Sequence, residues 1–306
     1  MSTKTVVTIA AVLITVAAQV PPNASATELW ANSLPGLTEG IPSGALPPKG
    51  LYFSENTYWA SFSGYDNGGN PTGMKVDSLI LIPVALWVPG KKILGAEYGA
   101  LLAQAFDYNN LRISGLQSNG GWGRFNTYIE PILLSWGVGD GVFIKGGLAF
   151  SLNDASSYPG KPPSGGGAPA GNGYWSTQPE VGLSWFRGGW NFNIDAQYSF
   201  NQENKTTSYK SGQQLGINFS LLRKTGLWTY GIGGYSINQI TADSGLGASA
   251  AGCSEQGGCK TETYGVGPLL GYQLGAINFM LEYNRSLYTR NYTGGNIVNA
   301  RVTVPF

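Results

Sequence analysis

The stretch Trp190–Phe200, WNFNIDAQYSF, alternates without a fault. Trp190, Phe192, Ile194, Ala196, Tyr198 and Phe200 are apolar, and Asn191, Asn193, Asp195, Gln197 and Ser199 between them are polar. Successive side chains of a strand point to opposite faces, so this segment reads as a strand with one oily and one wet face. The fold class turns on which face is inside. Oily side inward makes a soluble sandwich; oily side outward makes a membrane barrel whose wet face lines the lumen.

Composition favours the second arrangement. Charged residues make up 11% of the 306-residue chain, against about 25% in an ordinary soluble domain. Aromatics make up 12%, and 46 residues are glycine. So little charge cannot coat a soluble particle of this size. No internal run reaches the roughly 20 apolar residues of a helical span. The alternation recurs elsewhere. In 174–186, Trp175, Pro179, Val181, Leu183 and Trp185 share a face with Thr177, opposite Gln178, Glu180 and Ser184. In 124–136, Phe125, Ile129, Pro131 and Leu133 oppose Arg124, Asn126 and Glu130. A lipid-facing Lys or Arg costs about 2–4 kcal/mol at mid-depth, and these oily faces carry essentially none.

The pattern predicts an all-β, up-and-down antiparallel transmembrane barrel of about twelve strands. They are expected at 50–62, 74–88, 93–107, 123–136, 141–152, 174–187, 190–203, 208–222, 227–239, 262–274, 276–289 and 296–306. The connections alternate between long, such as 153–173 and 241–261, and short, such as PGKK, RGG and RKTG. A barrel in an outer membrane has short turns on the periplasmic rim and long loops outside. An even strand count puts both ends of the barrel on the periplasmic side. Trp and Tyr cluster near strand ends, as in Trp59, Trp87, Trp122, Trp136, Trp190 and Trp228, the placing of interfacial aromatic girdles.

Three domains follow. Residues 1–26 read as a signal peptide: Lys4, an apolar stretch over 6–20 and an Ala24-Ser25-Ala26 cleavage site. Residues 27–49 contain Pro35, Pro42, Pro47 and Pro48 and read as an irregular arm, which either hangs free, stays disordered or plugs the lumen. Residues 50–306 are the barrel. Export and barrel together place the protein in a Gram-negative outer membrane, with membrane lipids as its surroundings.

By alternation Glu97, Arg124, Glu130, Lys145, Glu180, Asp195, Glu282 and Arg301 point into the lumen. They either brace the barrel as ion pairs or form a constriction that selects permeants, and the two roles are compatible. The chain has no histidine. That excludes His-based catalysis and His-ligated metal sites, including the chemistry of outer-membrane phospholipases and omptin proteases. No nucleophile is brought to a carboxylate pair, so no enzyme, cofactor or metal is expected. A net charge of +1 gives no footprint for nucleic acid. Cys253 and Cys259 lie in the long 241–261 loop and read as a disulfide in an exported protein. The Asn-x-Ser/Thr triplets at Asn204, Asn218, Asn284 and Asn291 are chance matches in a bacterial barrel. The chain ends in RVTVPF; Phe306 on an alternating last strand resembles the signal read by the barrel-assembly machinery, an expected partner.

Several segments resemble the family known as the MetA pathway of phenol degradation. They are GALPPKGLYFSENTYWASFSGYDNGG, KKILGAEYGALLAQAF, RFNTYIEPILLSWGVGDGVFIKGGLAF, GQQLGINFSLLRKTGLWTYGIGGYSINQIT and GPLLGYQLGAINFMLEYN, then the last strand. Together they cover about residues 45–306. The resemblance implies an outer-membrane barrel of transporter type passing small hydrophobic or aromatic compounds, and it supplies no site residues. The Cys loop and the 153–173 loop are departures from it. The expected function is a channel for small molecules; the alternative is a closed barrel whose long loops bind a surface partner.

Overall fold

The computed structural model describes residues 30–113 and 116–306. The leader, its cleavage site and residues 27–29 of the arm lie outside the described residues. Twelve barrel strands follow the arm: β1 (Gly50–Tyr65), β2 (Pro71–Val88), β3 in two segments (Ala96–Ala103 and Phe106–Ile113), β4 in two segments (Trp122–Arg124 and Tyr128–Gly139), β5 (Val142–Ser151), β6 (Ser176–Arg187), β7 (Trp190–Asn201), β8 (Gln214–Thr225), β9 (Trp228–Gln239), β10 (Glu262–Leu274), β11 (Ile277–Arg290) and β12 (Tyr292–Pro305). Each pairs antiparallel with its sequence neighbour, and β12 pairs β1 from Pro305↔Tyr52 to Tyr292↔Tyr65. That last pairing closes the barrel and removes every free sheet edge.

β3 and β4 each count once because both segments of β3 pair with β2, and the segments of β4 pair with those of β3. The interruptions lie side by side next to Pro83, which has no N–H for the ladder. Side chains close the breach. The Gln104 amide donates to Phe125 O at 2.9 Å, and Thr127 Oγ1 lies 2.6 Å from both Gln104 Oε1 and Asp154 Oδ2.

The opening stretch answers its own question. On β7, Trp190, Ile194 and Phe200 are exposed, while Asn193, Asp195 and Ser199 are buried. Wide exposure of large apolar side chains runs around the molecule, from Trp59 and Trp87 to Val181, Ile232 and Leu281. In a membrane that surface faces hydrocarbon.

The short turns use the left-handed region that tight hairpins require: Asp140-Gly141, Gly188-Gly189 and Gly226 all have positive φ. On the opposite rim, 152–175, 202–213 and 240–261 are long. One connection departs from the expected alternation. β11 and β12 are joined on the long-loop side by Asn291 alone, at φ 47°, so the last strand begins at Tyr292 rather than at 296. The 240–261 loop holds the short α1 (Leu246–Ala250) and a Cys253–Cys259 disulfide, packed on Tyr209 and Ala248. At the outer β1–β2 turn, Asp66 accepts from the Asn70 and Gly68 N–H groups, each at 2.8 Å, and the first of these chiefly holds its carboxyl below its ordinary range. β1 and β2 have 16 and 18 residues, more than the about 9–11 that cross a bilayer. The excess stands above the membrane and carries Asp77 of β2, paired at 2.8 Å with Arg112 of β3.

Candidate functional site: the lumen and the arm inside it

Residues 30–49 thread the barrel. At the long-loop end Trp30 Nε1 donates to Pro169 O at 2.8 Å. At the short-turn end Gly44 N donates to Ser184 Oγ at 2.8 Å, and Ser135 Oγ donates to Gly44 O at 2.7 Å. The arm then leaves the mouth into β1. Its prolines forbid a regular ladder, so its backbone polar groups must find partners elsewhere. The wet faces of the strands supply them. Ala31 N donates to Tyr292 Oη at 2.9 Å, Gly36 N to Asn218 Oδ1 at 3.1 Å and Gly40 N to Ser220 Oγ at 3.2 Å. Tyr58 Oη donates to Pro35 O at 3.0 Å. The alternating Asn, Ser and Tyr residues of the wall are therefore a receptor for an irregular peptide.

Two charged clusters flank the arm. In the first, Lys145 of β5 pairs with Glu180 of β6, and Glu130 of β4 and Asp195 of β7 add their charge around the same ammonium. Thr38 Oγ1 of the arm donates to Asp195 Oδ2 at 2.7 Å. Glu130 Oε1 and Asp195 Oδ1 are buried without a hydrogen-bond partner. In the second, Arg301 of β12 meets Glu282 of β11 at 2.7 Å, both almost wholly buried. The same guanidinium donates to Leu37 O at 3.0 Å and Glu39 O at 2.7 Å. Glu39 Oε2 accepts from Asn284 Nδ2 at 3.0 Å. Arg301 thus clasps the turn at 37–39 to the wall.

Six of the eight residues placed in the lumen by alternation are found there: Glu130, Lys145, Glu180, Asp195, Glu282 and Arg301. Two are not in its interior. Glu97 stands at the short-turn mouth, half-exposed and 3.3 Å from Lys92, because it lies two residues from the β2–β3 turn, where water reaches the inner face. Arg124 is exposed at the outer side near Asp154, with 3.8 Å between charged atoms. There the strand is interrupted: Phe125 and Asn126 both turn inward, which shifts the phase by one and sends Arg124 out. Glu39 and Asp107, both buried, were not anticipated. Glu39 carries no periodic signal in an irregular arm, whereas Asp107 sits in a strand whose alternation could have placed it.

The lumen is also less polar than alternation predicts. Tyr58, Ala60 and Phe62 of β1, Ile80 and Ile82 of β2, Tyr235 of β9 and Ile297 of β12 form one buried cluster. Leu34 and Leu37 of the arm pack against it. β2 is apolar on both faces over this stretch, so its sequence alternates weakly there. The barrel interior is uneven: charged and wet groups line β4–β8 and again β11–β12, and an apolar patch centred on β1–β2 lies beside the second group.

The same fold occurs in an outer membrane channel from Pseudomonas putida F1, at TM-score 0.71 and 11% identity, over 87% of this chain and 98% of that one. The translocator domain of the autotransporter NalP from Neisseria meningitidis follows at TM-score 0.50 and 10% identity, over 86% of this chain and 91% of that one. A comparison with curated protein sequences finds no match. The family model described as putative MetA-pathway of phenol degradation matches residues 61–302, nearly the whole barrel. With that match over most of its length, the chain belongs to the putative MetA-pathway of phenol degradation family.

Proposed function

We propose that the protein is an outer-membrane channel for small apolar molecules, aromatic compounds among them, with its arm as a resident plug. The observation that carries this reading is the apolar inner wall of Tyr58, Phe62, Ile80, Ile82 and Ile297 against Leu34 and Leu37. Porins for hydrophilic solutes line their lumen with polar groups and water. An apolar wall pays back little of a sugar's lost hydration but solvates a benzene ring well. A permeant enters from the long-loop side, displaces the 34–37 segment from this wall and leaves at the short-turn mouth. The charged wall opposite sets the barrier to ions. Phe306, exposed at the end of β12 with its N–H on Leu51 O at 2.8 Å, is available as an assembly signal.

The test is uptake into proteoliposomes containing lipopolysaccharide, with protein-free vesicles as control. A phenol-sized aromatic solute is expected to enter faster with protein present, and a monosaccharide no faster than without it. Equal acceleration of both would make this a general porin and end the proposal.

A further inference from the structure

The outer wall carries a feature that the lumen does not explain. A groove of about 270 Å³ opens on the lipid side across β9 to β12, lined by Trp228, Leu270, Tyr272, Phe279, Leu281 and Val302 among others. Trp228 and Tyr272 meet at its edge in a tilted contact, with centroids 4.8 Å apart and planes at 59°. These residues lie near the short-turn rim, since Trp228 follows the β8–β9 turn directly.

Beside the groove two cations stand on the outward face at two neighbouring turns. Arg187 ends β6, and Arg223 lies two residues before the end of β8, while Lys224 next to it has the inward parity of Leu222. The turns are laced together: Arg223 Nη1 donates to Gly188 O, and Lys224 N donates to Gly189 O at 2.8 Å. The Arg223 guanidinium lies over the Trp190 ring, 5.2 Å from its centroid. Among the described residues neither of the two cations belongs to an ion pair. The whole short-turn rim is basic, with Lys49, Lys91 and Lys92 added, and only Glu97 and Asp140 oppose them.

Register joins the cations to the groove. Arg223 pairs with Tyr230, Tyr230 with Leu270, and Leu270 with Leu281, so one outward row runs from the guanidinium to the groove floor. Glu55 borders the opposite edge of the groove, paired with Val302, and its charge repels an anion from that side. An anion at this site is therefore drawn to the Arg223 side.

We propose that this groove and its basic edge bind one anionic glycerophospholipid of the periplasmic leaflet. An acyl chain lies against Trp228, Leu270 and Leu281, and the phosphate rests on the Arg187 and Arg223 edge. Charge complementarity selects the headgroup, and the aromatic rim sits at the depth where ring and headgroup meet. The inference rests on the barrel's placement in a membrane and is independent of what the lumen passes.

Native mass spectrometry of the full barrel, released from detergent, counts retained lipids directly. Phosphatidylglycerol is expected to be retained at one copy and at least tenfold more tightly than phosphatidylcholine. The R187Q variant, which leaves the structural Arg223 in place, is expected to lose that preference, and L281W, which fills the groove, to lose the bound copy. Heat-modifiable mobility on gels checks that both variants are folded, and aromatic uptake checks the channel separately. Equal retention of both lipids, an unchanged preference in R187Q, unchanged retention in L281W, or full displacement by millimolar inorganic phosphate would each overturn the assignment.

Discussion

Lys145 holds the strongest single position in the lumen. It is the one cation amid Glu180, Glu130 and Asp195, on a side chain with little access to solvent. Removing one partner of a buried ion pair costs about 3–5 kcal/mol, because the charges left behind keep their desolvation without compensation. Lys145→Met is therefore expected to lower the unfolding temperature of the detergent-solubilised barrel sharply. Lys92→Met, which breaks the exposed pair with Glu97, is expected to cost about 1 kcal/mol or less. Equal shifts for the two would mean that the interior cluster is wet and screened. Arg301 differs in kind, since it holds two backbone carbonyls of the arm as well as Glu282. Arg301→Met loosens the arm and orphans Glu282. Single-channel recordings should show a longer open time, and pairing it with Glu282→Gln should recover stability without restoring closure.

Among the elements, the arm and the 240–261 loop make opposite predictions. The arm's hydrogen bonds run to wall side chains from β1, β4, β6, β8 and β12, whereas the barrel ladder closes without it. Deleting 30–46 should leave a folded, heat-modifiable barrel and raise sugar uptake in proteoliposomes severalfold. A chain that no longer folds would make the arm a core element instead of a plug. The disulfide closes a short loop whose entropy is worth about 2 kcal/mol, and it lies in a cluster of its own with Tyr209, Ala248 and Ala251. Reduction should speed amide exchange over 240–261 and leave exchange in β9 and β10 unchanged. Faster exchange in those strands would show that the loop staples the barrel.

The whole molecule is electrically lopsided along its axis. Inside, the buried carboxylates of Glu39, Asp107, Glu130, Glu180, Asp195 and Glu282 outnumber the cations of Lys145 and Arg301. The short-turn rim is basic. Once water enters with a permeating ion, these acids are solvated and ionise, and such a lumen repels anions, since charged rings in a low-dielectric tube focus their field. Any ionic leak through the protein should be cation-selective, read as the sign of the reversal potential in a potassium chloride gradient. Glu130→Gln should reduce that selectivity, and anion selectivity in the unsubstituted protein would contradict the lumen assignment.

Strand periodicity needs only the sequence, because each residue's face is fixed by its neighbours two positions away. That local rule, with the scarcity of charge, determined the barrel, its oily exterior, most strand limits and six inward charges. It failed where the ladder itself breaks: at Arg124, beside the interrupted β4, and at Asn291, where one left-handed residue replaces a loop. Depth, as at Glu97, is also not local, since it depends on how far each strand rises before it turns. The position of the arm was decided only in three dimensions. Nothing in WANSLPGLTEGIPSGALPPK, residues 30–49, is periodic, and its place is set by hydrogen-bonding groups contributed from a loop and strands more than a hundred residues away. An irregular peptide can lie inside a barrel only if the closed wall satisfies its backbone, and that wall exists only once all twelve strands have met.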